Sequence, residues 1–145
     1  MIGGFLLLRR KILFIVMSKS VIRILVIDDH EMVRKSIMAL LSVELDMQVI
    51  GTAENGRKAV QLAKTTEPDV IVMDISMPEL DGIRAAGEIQ ALATSARVII
   101  LSMYHDSVLL QQARKNGASG FILKQQANQE LVPAIRAASK GELSL

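Results

Sequence analysis

From Val21 onward, short apolar runs alternate with longer stretches of helical spacing. The runs cover residues 22–27, 48–53, 70–73, 98–101 and 120–123. They are continuous rather than alternating in polarity, which predicts strands covered on both faces. Between them, Val33, Ile37, Leu40 and Leu41 mark the buried face of a first helix. Asn55 is placed to cap a second helix that ends before Pro68. A third is expected over about residues 80–93, a fourth over about 106–116 with Gly117 as its C-terminal cap, and a fifth over about 128–140. Pro133 lies inside the fifth and lacks a backbone donor, which predicts a kink or a late start.

Five strands alternating with five helices make an α/β chain with a parallel sheet wrapped on both faces. In such sheets the ligand site lies at the carboxyl ends of the strands, near the switch in strand order. The first strand ends in Asp28 and Asp29, the third in Asp74, the fourth in Ser102 and the fifth in Lys124. The second ends in small residues, with no charge until Glu54.

Two adjacent carboxylates at the end of a buried strand repel each other, and burial strengthens the repulsion. A third carboxylate from a neighbouring strand adds to it, so a cation is expected among them. An all-oxygen cluster suits Mg²⁺. Carboxylates, a metal, a hydroxyl and a lysine around one point describe phosphoryl transfer, with Asp74 as the nucleophile. Taken singly, each residue has a plainer reading. A strand-end aspartate is most often a cap or turn residue, a strand-end lysine a solvated charge, and Ser102 a helix N-cap. The signal is their joint placement along one edge. His30 and His105 read as solvated residues at helix starts, with His30 close enough to Asp29 to tune the site.

Composition narrows the picture. Half of the 145 residues are hydrophobic, enough to fill one domain core, and cysteine is absent, which removes disulfides and thiolate metal sites. The net charge of +2 comes from the first 20 residues, which hold four of the 17 basic residues; the other 13 face 15 acidic ones. A slightly acidic remainder without a helix-turn-helix disfavours direct DNA binding. The first 20 residues place Arg9, Arg10 and Lys11 between two apolar clusters, a pattern of neither a signal peptide nor a transmembrane helix. Three readings stay open for residues 1–20: a mis-assigned start with Met17 as the first residue, an added helix or strand, or a membrane-surface anchor. A membrane location is disfavoured, and the cytoplasm is the expected compartment.

The segments LVIDDHEMVR, DVIVMDISMPELDG, VIILSMY and GASGFILK occur in this order with fitting spacing. Together they resemble the receiver domain of two-component response regulators, closest to the NarL/FixJ (LuxR-like) branch. The resemblance covers about residues 21–140 and makes 141–145 the start of a linker or tail. It implies a flavodoxin-like (βα)5 sheet in the order 2-1-3-4-5, an order for which a chemotaxis receiver is the standard example. Residue by residue, Asp74 resembles the phosphorylated aspartate. Asp29 resembles the direct Mg²⁺ ligand of the acidic pair, and Asp28 its partner acting through water. The backbone carbonyl of Ser76 is similar to the third protein ligand. Ser102 resembles the switch hydroxyl, Lys124 the phosphate-binding lysine and Phe121 the switch aromatic, while Pro78 and Gly82 shape the loop after Asp74. Many receivers carry a cis proline after the lysine; Gln125 stands there instead, which puts that geometry in question.

The implied activity is acceptance of a phosphoryl group by Asp74, from a sensor histidine kinase or a small acyl phosphate. Ser102 is then drawn toward the group, Phe121 turns inward, and the face made by helix 4, strand 5 and helix 5 changes shape. Ser76 and Tyr104 flank the path of an attacking water and carry no group to orient it, so slow decay of the phosphorylated state is expected, with Tyr104 as a shield. Homodimers through helix 4–strand 5–helix 5, or through helix 1 and helix 5, fit the resemblance. The full-length relatives imply transcription control. Such a domain is a phosphoacceptor that assists its own phosphorylation and dephosphorylation rather than an enzyme. Two alternatives are a Mg²⁺-dependent phosphatase of haloacid-dehalogenase type and an interaction module that keeps the acidic site without using it. The phosphatase needs an Asp-x-Asp motif on its first strand, where this chain has adjacent Asp28 and Asp29.

Overall fold

The computed structural model describes residues 3, 4, 6–10, 21–92 and 94–145. Five strands form one parallel sheet: β1 (Ile22–Ile27), β2 (Met47–Ala53), β3 (Val70–Asp74), β4 (Arg97–Ser102) and β5 (Gly120–Leu123). Their order is β2-β1-β3-β4-β5. The helices are α1 (Glu31–Ser42), α2 (Gly56–Thr66), α3 (Gly82–Ala91), α4 (Ser107–Lys115) and α5 (Ala127–Ser139), with a 3-10 turn at Lys124–Gln126 before α5.

The continuous apolar runs are explained by the two cores they serve. Leu25, Ile27, Ile71, Met73, Val98 and Ile100 point to one face and pack with Ala59, Ile83, Ile89 and Ala113 from α2, α3 and α4. Ile24, Val26, Val70, Val72, Ile99 and Leu101 point to the other and pack with Ile37, Leu41, Leu131 and Ile135 from α1 and α5. Successive residues on a strand face opposite ways, so a strand covered twice must be apolar at every position.

Most helix ends carry the chemistry their sequence suggests. Asn55 accepts from the Lys58 N–H at 2.8 Å, Asp81 from Arg84 N–H at 2.9 Å, and Asp106 from Val108 N–H at 2.8 Å. Gly117 takes φ +81° just past α4. The late start expected of the fifth helix is not found: α5 begins at Ala127 and runs through Pro133. Leu131, Ala134 and Ile135 are buried against the sheet on either side of the proline. Their burial outweighs the loss of one helical hydrogen bond, which costs about 3 kcal/mol in an exposed helix.

Near the N-terminus, residues 6–10 are helical, with Leu6, Leu7 and Leu8 exposed. Met17, the alternative start, lies outside the described residues. Among the described residues no helix is long and apolar enough to cross a membrane.

Candidate functional site

The chain reverses its direction of travel across the sheet at β1: it steps outward to β2, then crosses back to β3. β1 and β3 are hydrogen-bonded neighbours, with Ile27 beside Met73. The residues that follow these two positions, Asp28 and Asp74, therefore emerge together at the carboxyl edge. Both are buried. Asp28, Asp29, His30 and Asp74 each offer an atom within 4.8 Å of the others.

Lys124 closes the cluster from β5. Its Nζ lies 3.0 Å from Asp28 Oδ2 and 3.1 Å from Asp74 Oδ1. Burial pushes the Asp74 carboxyl above its ordinary range, and the charge of Asp28 adds to the rise; Lys124 offsets only part of it. Burial also works against the charged form of Lys124, but its bonds to Asp28 and Asp74 outweigh it and the lysine is raised. Asp28 Oδ2 is buried with no hydrogen bond aligned on it, although it lies in ion-pair range of Lys124.

The acidic pair is held in place by α1. His30 N–H donates to Asp28 Oδ1 at 2.9 Å. The His30 ring Nδ1 lies 3.2 Å from Asp28 Oδ1 and 2.9 Å from Asp29 Oδ1. Arg34 Nη1 donates to the Asp28 backbone carbonyl at 2.7 Å. Arg34 was not singled out by the sequence. The signal for it is its position in the first turn of α1, facing back toward the strand it follows.

Gly82 fixes the loop after Asp74. A Cβ at this position would sit 2.0 Å from the Asp74 carbonyl oxygen, so only glycine lets α3 start so close to the end of β3. Gly82 N–H donates to the Ile75 carbonyl at 2.9 Å, and Glu79 takes a left-handed φ of 66°. Ser76 lies exposed in this loop.

Ser102 ends β4 and is buried, but its hydroxyl is engaged in its own turn. It donates to the Tyr104 carbonyl at 2.8 Å and accepts from the Tyr104 N–H at 3.1 Å. It caps no helix; Asp106 does that for α4. Tyr104 is 73% exposed, so in this structure its ring lies in solvent. Phe121 is half-buried against the core on the α2–α3–α4 side. No cis peptide bond occurs among the described residues, so Lys124–Gln125 is trans.

The family model described as the response regulator receiver domain matches residues 24–136. The chain belongs to this family. The receiver domain is 42% identical over 124 residues to the transcriptional regulatory protein LiaR of Bacillus subtilis (strain 168), covering 86% of this chain and 59% of LiaR. It is 34% identical over 122 residues to the nitrate/nitrite response regulator protein NarL of Escherichia coli (strain K12), covering 84% of this chain and 56% of NarL. The chain thus spans a little over half the length of these relatives. Among solved structures, the signal receiver domain of the response regulator NarL from Mycobacterium tuberculosis matches with a TM-score of 0.82 at 32% identity, covering 85% of this chain and 99% of that one. The isolated receiver domain of RcsB from Salmonella enterica serovar Typhimurium, determined in the presence of phosphomimetic BeF3-, matches with a TM-score of 0.77 at 26% identity, covering 84% of this chain and 91% of that one. The sheet order and the NarL-type relatives are those the four sequence segments imply.

Proposed function

We propose that this receiver domain accepts a phosphoryl group on Asp74 and uses it to reshape the surface around α4, β5 and α5. The observation that carries the reading is the state of Asp74. It is a buried carboxylate beside a second buried carboxylate, 3.1 Å from a lysine, and its pKa is raised. A structural carboxylate would be placed to have its charge fully balanced. This one is left short of balance, as suits a group that bonds to a phosphoryl centre.

In the reaction a carboxylate oxygen of Asp74 attacks phosphorus. The P–N bond of a kinase phosphohistidine, or the P–O bond of a small acyl phosphate, breaks, and its electron pair leaves with the donor. The product is an aspartyl phosphate. Lys124 then faces the added negative charge. The residues fit Mg²⁺: three carboxylates supply hard oxygen donors, and Asp28 Oδ2, which accepts no aligned hydrogen bond and faces Lys124 at 3.0 Å, is inside the cluster. Asp28, Asp29, Asp74 and the Ser76 carbonyl would hold the ion, which supplies positive charge against the phosphoryl oxygens.

Ser102 follows Leu101, the β4 partner of Asp74, and its hydroxyl now spends its donor on Tyr104. Drawing it to a phosphoryl oxygen breaks that bond and frees the β4–α4 loop, which gives Phe121 room to turn inward. Next to Lys124 an apolar groove of about 590 Å³ runs between α1 and the start of α5, lined by Met32, Ile37, Leu40, Leu101 and Met103. It gives the helical bundle of a sensor histidine kinase a place to rest while the donor reaches Asp74. The output in the longer relatives is transcription control, and the α4–β5–α5 or α1–α5 faces are the candidate dimer surfaces.

Intact mass after incubation with acetyl phosphate tests this, with and without Mg²⁺, for the wild type and Asp74→Asn. One phosphoryl group is expected with Mg²⁺ and none in the variant. No adduct from acetyl phosphate or from a panel of phosphorylated histidine kinases would overturn the reading in favour of an interaction module that keeps the acidic site unused.

A further inference from the structure

Helix α5 ends in a Schellman turn. Gly141 takes φ +80°, its N–H donates to the Ala138 carbonyl at 2.9 Å, and Glu142 N–H donates to the Ala137 carbonyl at 2.9 Å. The turn sends residues 142–145 along the outer edge of β5. Ser144 N–H donates to the Ser119 carbonyl at 2.8 Å, and Phe121 N–H donates to the Ser144 carbonyl at 3.4 Å. Gly120 and Ser144 face each other in a parallel bridge. A Cβ on Gly120 would lie 2.8 Å from Ser144 Oγ, so the missing side chain leaves space for the tail.

An exposed edge strand invites pairing, and here residues 142–145 of the same chain cover it. The cover is light. Two backbone hydrogen bonds join the tail to the edge, and one is at the outer limit of hydrogen-bond length. Ser144 Oγ is buried with no partner, which works against docking. Ordering residues 142–145 opposes it further.

The same short strand leads into the site. Lys124 follows β5 directly, Ser102 pairs with Leu123, and Ile100 pairs with Phe121. Phe121 is the shared residue: its ring packs on the core and its amide holds the tail.

We propose that the outer edge of β5 is a regulated docking strip for the chain's own residues 142–145, occupied while Asp74 is unmodified and loosened once Asp74 carries a phosphoryl group. The inference rests on the phosphoacceptor reading. Its direction follows from the 3.4 Å bond. Turning the Phe121 ring toward the core repacks β5 beside this amide, and a bond already that long is the first contact a small backbone shift would break. By linkage, a tail that cannot dock favours the phosphorylated form by the same factor.

Amide hydrogen exchange of the full chain, read by NMR with and without beryllofluoride and Mg²⁺, tests the coupling. On beryllofluoride binding, the Ser144 amide is expected to exchange on the order of tenfold faster, within the usual range of coupling between sites, while the Ile99 amide stays slow. Ser144→Pro removes the donor at a residue that belongs to neither core. It is expected to speed Phe121 exchange without any ligand and to tighten beryllofluoride binding by a similar factor. Bound beryllofluoride with unchanged Ser144 exchange, or equal affinity in Ser144→Pro, would overturn the inference and leave the acceptor reading standing. Absence of both beryllofluoride binding and a phosphoryl adduct would overturn the two together.

Discussion

Two clusters in this molecule each set one cation against two carboxylates, and they obey different physics. At the carboxyl edge of the sheet, Lys124 meets Asp28 and Asp74 with both carboxylates buried. Toward the opposite edge, Arg136 of α5 meets Glu44 and Asp46 in the loop between α1 and β2, donating to them at 2.8 to 3.0 Å. Arg136 is raised by its hydrogen bonds to Asp46 and then Glu44, with little opposition from burial. Its guanidinium fork satisfies both partners, and water screens the remaining charge. Lys124 has one ammonium for a desolvated cluster, and Asp74 is left with a raised pKa. The same stoichiometry is restful when solvated and tense when buried; the tense cluster is the one proposed to accept the phosphoryl group.

Replacing each cation should separate the two clusters. Lys124→Met leaves buried carboxylates uncompensated, and its stability without Mg²⁺ should fall by about 3 kcal/mol in urea unfolding. A loss below that of Arg136→Ala would contradict the comparison.

Asp74→Asn should move stability the other way, upward by on the order of 1 kcal/mol at neutral pH without Mg²⁺, because it removes a charge the fold holds at a cost. The pH dependence carries the sign. The folded pKa of Asp74 lies above its unfolded value of about 3.9. The folded state therefore binds the proton more tightly, and this residue's contribution to stability falls as pH rises from about 4 through the folded pKa. The difference between Asp74→Asn and wild type should thus grow with pH over that window and then level off. A difference that is flat from acid to neutral pH would show that the carboxylate is not strained.

Arg136→Ala should lower the urea midpoint only slightly, and less again in 1 M salt, since the pairs are partly exposed. The smallest expected effect concerns the fate of the modified site. Tyr104→Ala should shorten the lifetime of the phosphorylated form by a few-fold, on the order of 1 kcal/mol in barrier. An equal or longer lifetime would remove the shielding role, and the exposure of Tyr104 in this structure means the ring must swing in to serve it.

What the sequence made legible depends on how local the signal is. The five apolar runs match the strands to within one residue at either end, because burial on both faces keeps the central strands apolar; Arg23 at the start of β1 and Gln48 and Thr52 on the edge strand β2 are the exposed polar exceptions within the runs. Asp28, Asp74 and Lys124 stood out because each breaks or directly follows such a run. The direction of a hydroxyl leaves no trace in sequence: Ser102 could face a helix or the site, and it bonds Tyr104 instead. Arg34 was hidden because its bond to the Asp28 carbonyl depends on how α1 lies against β1. The late start read from Pro133 does not occur because a local rule about helix donors was set against packing of Leu131 and Ile135 that only the tertiary fold supplies. The tail on β5 was hidden for the same reason. Gly141 marks the turn, but nothing local says where the chain goes next.

Lys124 follows the outermost strand of the five, yet its ammonium reaches over β4 to carboxylates on β1 and β3. In mechanical terms it is a brace from the rim of the sheet to its middle. Backbone hydrogen bonds stiffen the rest of the sheet permanently, whereas the tension in this brace depends on the charge at its inner anchor. A covalent change at one oxygen of Asp74, as proposed above, would therefore reset the load on the edge strand through Lys124, in parallel with the release of the β4–α4 loop.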